Sequence, residues 1–590
     1  MSQFFDQASL VMIPSGYKNG KVYSQKPLSA DGELTFTRNS DATRVNADGL
    51  VEKVRTNLLL QSNQFDTTWT AVRSTTTSGQ SGYDGSSDAW LFESTTTANS
   101  ASLTQTNTTS SVQSLSVYAK AGTSDWLRIR GEATPSAYQV YFNLSTGSLG
   151  STSSIIDASI TAVGGGWYRC YVSANATLST AILSIANGDN NVTTNSGDSI
   201  YIQNAQLEAG DIATDYIPTT TSARSTFAGI TVDGTSVPNV PRLDYSGGAT
   251  CPSLILEPQR VNDVVNNTAL NNHTSYNASW GVNVAVAPTG YQEAEKLIEN
   301  TSNSTHFWGA GLSYTSGTTY TLSVYIKAAE RDEFLIQVGN PSVINFGAVF
   351  NLSTKVVNNL GSGTALMVDA GNGWYRCIIQ SVTALSTGST NLNCFLRSGG
   401  TINYTGDGTS GAYFWGVQRE IGSYPTSLIL TEGSAVTRLA DDMDTTFASP
   451  FATDGGATFF LELDAAPQSG SNSTAQNLSI VFASGDSVSY NHSGGMYHRW
   501  RVNAGGAAYY QTVKGQQDNS VKMAIKITAS SFTAYSNGSI DGTPTSISGN
   551  WASATDLSTL LNEAIGIIPV KKLIFFPTAL SDSDLATLTA

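Results

Sequence analysis

Ser116-Val117-Tyr118-Ala119-Lys120-Ala121 recurs 207 residues later as Ser323-Val324-Tyr325-Ile326-Lys327-Ala328, and Gly166-Trp167-Tyr168-Arg169-Cys170 recurs at the same spacing as Gly373-Trp374-Tyr375-Arg376-Cys377. Between these anchors Phe142-Asn143-Leu144-Ser145-Thr146 matches Phe350-Asn351-Leu352-Ser353-Thr354, and beyond them Gln206-Leu207-Glu208-Ala209-Gly210 matches Gln418-Arg419-Glu420-Ile421-Gly422. The order of anchors is the same in both copies and the spacing drifts by only a few residues, as loop insertions would make it. Two versions of one module follow, over residues 55–220 and 260–437.

Each anchor has the period of a strand. Leu115, Val117 and Ala119 alternate with Ser116, Tyr118 and Lys120, and Leu322, Val324 and Ile326 repeat the pattern. Such alternation marks a sheet with one buried and one wetter face. In Trp126-Leu127-Arg128-Ile129-Arg130 it puts Leu127 and Ile129 inward and Trp126, Arg128 and Arg130 outward. Short strands separated by Gly/Ser/Asn turns, with no crossover helix between them, imply an all-β chain of tandem antiparallel β-sandwich (jelly-roll) domains. The charged fraction of 13% is about half the usual ~25%, and Ser, Thr, Asn and Gly fill the gap.

Outside the repeat, residues 1–54 are too few for a sizeable core. They read as an attachment or oligomerisation segment, with Leu10-Val11-Met12-Ile13-Pro14-Ser15-Gly16-Tyr17 a strand to pack on a partner chain. Residues 221–259, punctuated by Pro238, Pro241 and Pro252, read as a structured linker. Residues 438–590 carry fresh strands such as Phe459-Phe460-Leu461-Glu462-Leu463 and Leu573-Ile574-Phe575-Phe576, and close on a short helix that Ser581 can cap.

A net charge of −15 argues against nucleic acid as a partner, since holding phosphates needs clustered Lys and Arg. No apolar run reaches the ~18 residues of a membrane span, and the first residues lack the basic start and apolar stretch of a signal peptide. Synthesis in a cytoplasm is therefore expected, without membrane insertion. Cys170, Cys251, Cys377 and Cys394 show no zinc-site spacing and read as buried thiols, with Cys251 in the linker. A Cys377–Cys394 disulfide has no support in the spacing.

No nucleophile elbow, phosphate loop or zinc-protease motif is present, and among 45 acidic residues nothing singles out a catalytic pair. The chain reads as a non-enzyme. Glu208 and Glu420, at matching places in the two modules, read as carboxylates that stabilise a turn or bind an ion. No EF-hand loop is present, and a structural calcium ion is the only cofactor entertained. Sugar sites use exposed aromatic rings framed by polar side chains. Trp126 with Arg128 on one outward face, and Tyr138, fit best; in the second module Phe334 takes the place near Trp126. His498 and Trp500 share a strand face that could form a second aromatic patch.

Met12-Ile13-Pro14-Ser15-Gly16-Tyr17-Lys18, Phe36-Thr37-Arg38-Asn39-Ser40-Asp41-Ala42-Thr43-Arg44-Val45-Asn46, Val240-Pro241-Arg242-Leu243-Asp244-Tyr245 and Cys251-Pro252-Ser253-Leu254-Ile255-Leu256-Glu257-Pro258-Gln259 carry a resemblance to a recurrent group of phage tail-fibre and structural proteins. The module ending, Gln206-Leu207-Glu208-Ala209-Gly210 to Asp215-Tyr216-Ile217-Pro218-Thr219, adds to it. The modules look like carbohydrate-binding-module jelly rolls. Residues 438–590, with Thr533-Ala534-Tyr535-Ser536-Asn537-Gly538, look like a concanavalin-like (laminin-G-like) sandwich. The second module departs from the pattern, with Tyr424-Pro425-Thr426 standing for the Tyr-Ile-Pro-Thr ending. The resemblance implies a virion location, with other virion proteins and host cell-surface glycans as partners; a homotrimer is expected of such an assembly. Two other functions compete with a fibre or receptor-binding role: a capsid, neck or tail decoration protein with purely structural contacts, and a polysaccharide depolymerase.

Overall fold

The computed structural model of the chain describes residues 2–97, 99–464, 468–469, 478–493, 497–513, 520–547, 556–561 and 566–590. The fold is all-β and antiparallel, with three large hydrophobic cores. No helix among the described residues is long and apolar enough to cross a membrane.

The second module is a sandwich of two six-stranded sheets. One runs in the order Thr274–Tyr276, Phe307–Tyr314, Gly388–Arg397, Glu333–Val338, Gly347–Asn351, Val356–Asn359; the other runs Ala278–Ala285, Ala294–Glu299, Gly411–Ile421, Thr319–Ala328, Trp374–Thr383, Thr364–Asp369. The first module has the same order, but its central pair, Ser102–Ala121 and Trp167–Ala186, runs unbroken through both layers and joins them into one ten-stranded sheet. The alternation is as the sequence dictates: Leu115, Val117, Ala119, Leu127 and Ile129 lie in the first core, and Leu322, Val324 and Ile326 in the second.

Each module is closed by the same polar clamp. Asn57 Nδ2 donates to the carbonyls of Ala205 (3.2 Å) and Ile217 (2.8 Å), while its Oδ1 accepts from the amides of Leu59 (3.1 Å) and Leu207 (3.2 Å). Asn262 makes the corresponding bonds to Val417, Ile429, Val264 and Arg419. Gln206 Oε1 accepts from Ile217 N, and Gln418 Oε1 from Ile429 N. Glu208 accepts from the amide and hydroxyl of Thr214, and Glu420 from those of Thr426. Glu208 and Glu420 therefore stabilise a turn, and no metal-holding group of His, Cys, Asp or Glu occurs among the described residues.

These bonds correct the register of the module endings. Thr426 is the counterpart of Thr214, and Ser427-Leu428-Ile429-Leu430-Thr431 is the counterpart of Asp215-Tyr216-Ile217-Pro218-Thr219. Both copies thus keep the length of the ending and its Ile and closing Thr, while Leu428 and Leu430 replace Tyr216 and Pro218. Replacing Asn57 by alanine strands two buried carbonyls and two buried amides, and is expected to cost about 2–4 kcal/mol. Urea unfolding of the wild-type and N57A proteins checks it.

The flanking segments differ from expectation. Leu10–Met12 and Ser253–Leu256 both pair with Gly566–Phe576, through Leu10↔Phe575, Met12↔Leu573, Leu254↔Val570 and Leu256↔Ile568. Leu10, Met12, Val22, Leu34, Phe36, Leu243, Leu254 and Leu256 share one core with Phe459, Leu461, Ile525 and Trp500. Leu10 to Phe36 and the Leu243–Leu256 part of the linker are thus built into the core of the C-terminal sandwich, and Leu10–Met12 pairs within its own chain, not with a partner's. The physical reason is edge protection: Gly566–Phe576 would otherwise be a long apolar edge strand. Ser581 caps the closing helix, accepting from Asp584 N at 3.1 Å.

Where these segments meet, Arg38, Arg242 and Arg438 are sunk with Asp441 and Glu257, all with side chains at most 2% exposed. Arg242 bridges Glu257 (2.8 Å) and Asp441; Arg38 pairs with Asp441 (3.1 Å) and Arg438 with Glu257 (2.6 Å). Further donors go to the carbonyls of Ser40, Thr43, Val240 and Pro258 and to the Ser427 hydroxyl, while Arg38 Nη2, Arg242 Nε and Arg438 Nε find no partner among the described residues. Burial alone would raise the Glu257 pKa, but Arg438 and Arg242 outweigh it and hold the carboxyl well below the usual range.

Candidate binding cleft

Inward placement of Val117, Cys170, Val172, Ala158 and Ile160 turns their neighbours outward on three adjacent strands of the first module. Register then fixes two cross-strand rows. Tyr118, Arg169 and Thr161 form one; Ser116, Tyr171 and Ser159 form the other. These strands floor a cleft of about 520 Å³ lined by Tyr118, Asp157, Ser159, Thr161, Arg169 and Tyr171. That volume lies within the ~300–1,000 Å³ of small-ligand sites. Tyr291 and Gln292 of the second module and Ile212 and Ala213 of the module-closing turn form its walls.

Local contacts fix the floor. The Arg169 guanidinium lies 5.6 Å from the centre of the Tyr118 ring, and its Nη2 donates to the Thr214 carbonyl. Its buried Nε has no partner among the described residues. Tyr83 stacks on Tyr118 at 3.9 Å and 2° between planes, and Gln203 Oε1 holds the backbone of that loop by accepting from Tyr83 N at 3.1 Å. The Tyr171 hydroxyl donates to Asp157 Oδ2. Burial, then the Asp157 carboxylate, pushes the Tyr171 phenol above its ordinary pKa, so it stays protonated at neutral pH. The cleft offers ring faces, hydroxyls and an amide around one acid and one base, a set that can bind hydroxyl-rich ligands.

The same platform recurs in the second module as Tyr325, Trp374, Arg376, Tyr413 and Trp415, with Arg376 again 5.6 Å from the Tyr325 ring. There it is sealed: Ala285, Ala287, Ala294, Val51 and Leu428 pack over it, and Trp374 Nε1 donates to the Val286 carbonyl at 2.9 Å.

No protein-family model matches the chain. No curated protein matches it either. Among solved structures it is similar to the N-terminal CBM22-1–CBM22-2 tandem domain from Paenibacillus barcinonensis Xyn10C, at 12% identity over 62% of this chain and 98% of that one, with a TM-score of 0.18. Domains LG4-5 of the mouse laminin alpha1 chain match at 11% identity over 48% and 90%, TM-score 0.16. The LG1-3 region of the laminin alpha2 chain matches at 10% over 82% and 97%, TM-score 0.14. At these TM-scores the likenesses carry no argument, and the sandwich architecture rests on the strand pairings themselves.

The residues singled out from sequence do not converge on this cleft. Trp126 is half-buried on the opposite layer, where a Cβ at Gly150 would come 2.7 Å from its ring. Arg128 lies on the same face but is only 8% exposed, donating to Ser184 Oγ at 3.0 Å. Tyr138 is fully buried in the first core, where it faces no ligand. His498 and Trp500 are each 2% exposed, so they form no surface patch; His498 Nδ1 bonds the Tyr490 hydroxyl at 2.7 Å and Trp500 is part of the C-terminal core. Phe334 is a core residue, and the counterpart of Trp126 is Glu333, which faces Asn351 as Trp126 faces Asn143. Cys170, Cys377 and Cys394 are buried free thiols, and Cys251 is exposed rather than buried.

The wall between the modules is acidic. Lys53 bonds Glu293 at 2.8 Å, and Asp211 and Glu295 lie within the same electrostatic neighbourhood. Burial, then repulsion from Glu293, pushes Asp211 up to about 6, against the pull of Lys53. The folded protein therefore holds a proton that the unfolded chain releases from about pH 3.8 upward, so stability falls as pH rises from about 3.8 to 6 and stays lower above. Asp211→Asn is expected to stabilise the protein by about 1 kcal/mol at pH 7 and not at pH 3.5. Thermal unfolding at the two pH values reads the difference.

Proposed function

We propose that the chain is a phage virion structural protein of fibre or receptor-binding (adhesin) type, which engages host-surface glycans through the cleft of its first module and carries out no chemical step. The observation that carries the glycan reading is the row Tyr118–Arg169–Thr161 beside Tyr171 and Asp157: aromatic side chains and hydrogen-bonding groups on a rigid sheet, lining a cleft. The phage assignment is supported by the sequence resemblance, whose motif residues Arg38, Arg242 and Glu257 also build the buried ion cluster. In this reading the protein sits in the virion among other virion proteins, and a homotrimer strengthens individually weak contacts through multivalency.

A glycan array and host-cell binding assay on the full-length protein tests it. Saturable binding that Arg169→Ala abolishes and Trp126→Ala leaves intact is the expected result. Absence of binding at high protein concentration would overturn the glycan reading and leave the second one, a decoration component with only protein–protein contacts. The sealed platform of the second module is the observation that favours that second reading.

A further inference from the structure

The connection between Ala278–Ala285 and Ala294–Glu299 serves both modules. Its alanines cover the aromatic platform of its own module, as Tyr83 covers Tyr118 in the first. Its tip does something the first module's connection does not: Tyr291 and Gln292 reach the neighbouring module and wall its cleft. The tip is braced for this position. Arg55, at the start of the first module, donates to the Tyr291 hydroxyl at 2.9 Å, and Gln292 Nε2 donates to the Asn283 carbonyl at 2.8 Å. The Tyr291 amide and carbonyl are held within the loop, by Thr289 Oγ1 and by the Ala287 amide.

We propose, on the footing of the glycan reading above, that Tyr291 and Gln292 are specificity-determining residues of the first module's site, and that the ligand is a neutral glycan gripped between the two modules. The tip supplies a third aromatic side chain and an amide across from the Tyr118 and Tyr171 floor, so the site is complete only while the modules are docked. Neutrality follows from charge. Asp157 and Arg169 cancel within the cleft, Lys53 offsets Glu293 and Arg55 faces Asp215 behind its wall, and Asp211 and the chain's net −15 leave a field that disfavours polyanionic glycans. The groups placed to recognise a ligand are the Ser159 and Thr161 hydroxyls and the Oε1 of exposed Gln292, whose Nε2 is engaged by Asn283, and these suit sugar hydroxyls.

The test uses full-length protein, with calorimetric titration of cellohexaose, maltohexaose and oligogalacturonate into the wild type and the Arg169→Ala, Tyr291→Ala and Gln292→Ala variants. Expected is binding of a neutral oligosaccharide that Arg169→Ala abolishes and that each tip variant weakens at least tenfold, with an altered ranking of the sugars. Gln292 is exposed, so its variant reports even if Tyr291→Ala unfolds; melting curves separate the two cases. Loss in Arg169→Ala with both tip variants at wild-type affinity would overturn the composite site and leave the glycan reading standing. Preference for oligogalacturonate would overturn the neutral class. Failure of the wild type to bind any glycan, here and on the array, would remove both.

Discussion

Arg242→Ala is expected to destabilise the protein by about 3–5 kcal/mol, the largest effect of any single substitution considered, because it leaves two buried carboxylates short of their shared cation. Arg242 lies between Glu257 and Asp441, with its own side chain fully buried. Arg438 still faces Glu257 and Arg38 still faces Asp441 in the variant, but each then serves alone. Burial alone would weaken the Arg242 charge; Asp441 and Glu257 outweigh it and hold the guanidinium more firmly charged than in water. Arg242→Lys is expected to recover little, since an ammonium presents no planar fork to two carboxylates at once. Equilibrium urea unfolding followed by tryptophan fluorescence measures the change; a loss under about 1 kcal/mol would mean that the cluster relaxes or hydrates when opened.

The same cluster sets an acid limit. The Glu257 carboxyl is held below its ordinary value of 4.5 in the folded state, so its stabilising contribution is present above about pH 4.5 and is lost as pH falls below. Asp211, raised rather than lowered, acts in the opposite direction between about pH 3.8 and 6. The two predictions therefore separate by pH as well as by site.

What the sequence makes legible is what repeats or alternates. The paired anchors at Ser116 and Ser323 are local, so strand identity and inward faces follow directly. The cleft was within reach of the same reasoning: once Val117 and Cys170 point inward, Tyr118 and Arg169 must point outward. What the sequence does not carry is which strands lie side by side, and without the register Tyr118↔Arg169↔Thr161 the row cannot be assembled. His498 and Trp500 show a different failure. Their own stretch leaves the two faces open, but parity continued to Val502 and Ala504 assigns both to the core. Tyr138 shares parity with Val140 and Phe142 and is buried for the same reason. The Asn57/Asn262 clamp had a short signal, Arg55-Thr56-Asn57 against Arg260-Val261-Asn262, too brief to stand out before its hydrogen bonds are seen. The intrachain role of the Leu10–Phe36 segment had none, because pairing Leu10 with Phe575 spans nearly the whole chain.

That long-range pairing carries the second large effect. Deleting residues 1–36 is expected to unfold the C-terminal sandwich while leaving the first module intact. The deletion removes Leu10, Met12, Val22, Leu34 and Phe36, each at most 2% exposed, from the core they share with Phe459 and Phe575. At about 1.5–3 kcal/mol per fully buried side chain the loss is about 8–15 kcal/mol, as large as the ~5–15 kcal/mol that holds a typical domain folded. It also bares the Leu573–Phe575 stretch of an apolar strand that Leu10–Met12 now covers. Hydrogen exchange reads both halves of the prediction: amides of Gly566–Phe576 should lose protection, while those of Trp167–Ala186 should keep it, since the first core contains none of the deleted residues. The Cys170 thiol, fully buried in that core, should stay unreactive in the truncated chain. Retained protection at Gly566–Phe576 would instead mean that the N-terminal segment is dispensable to its own chain and free to act as an attachment arm.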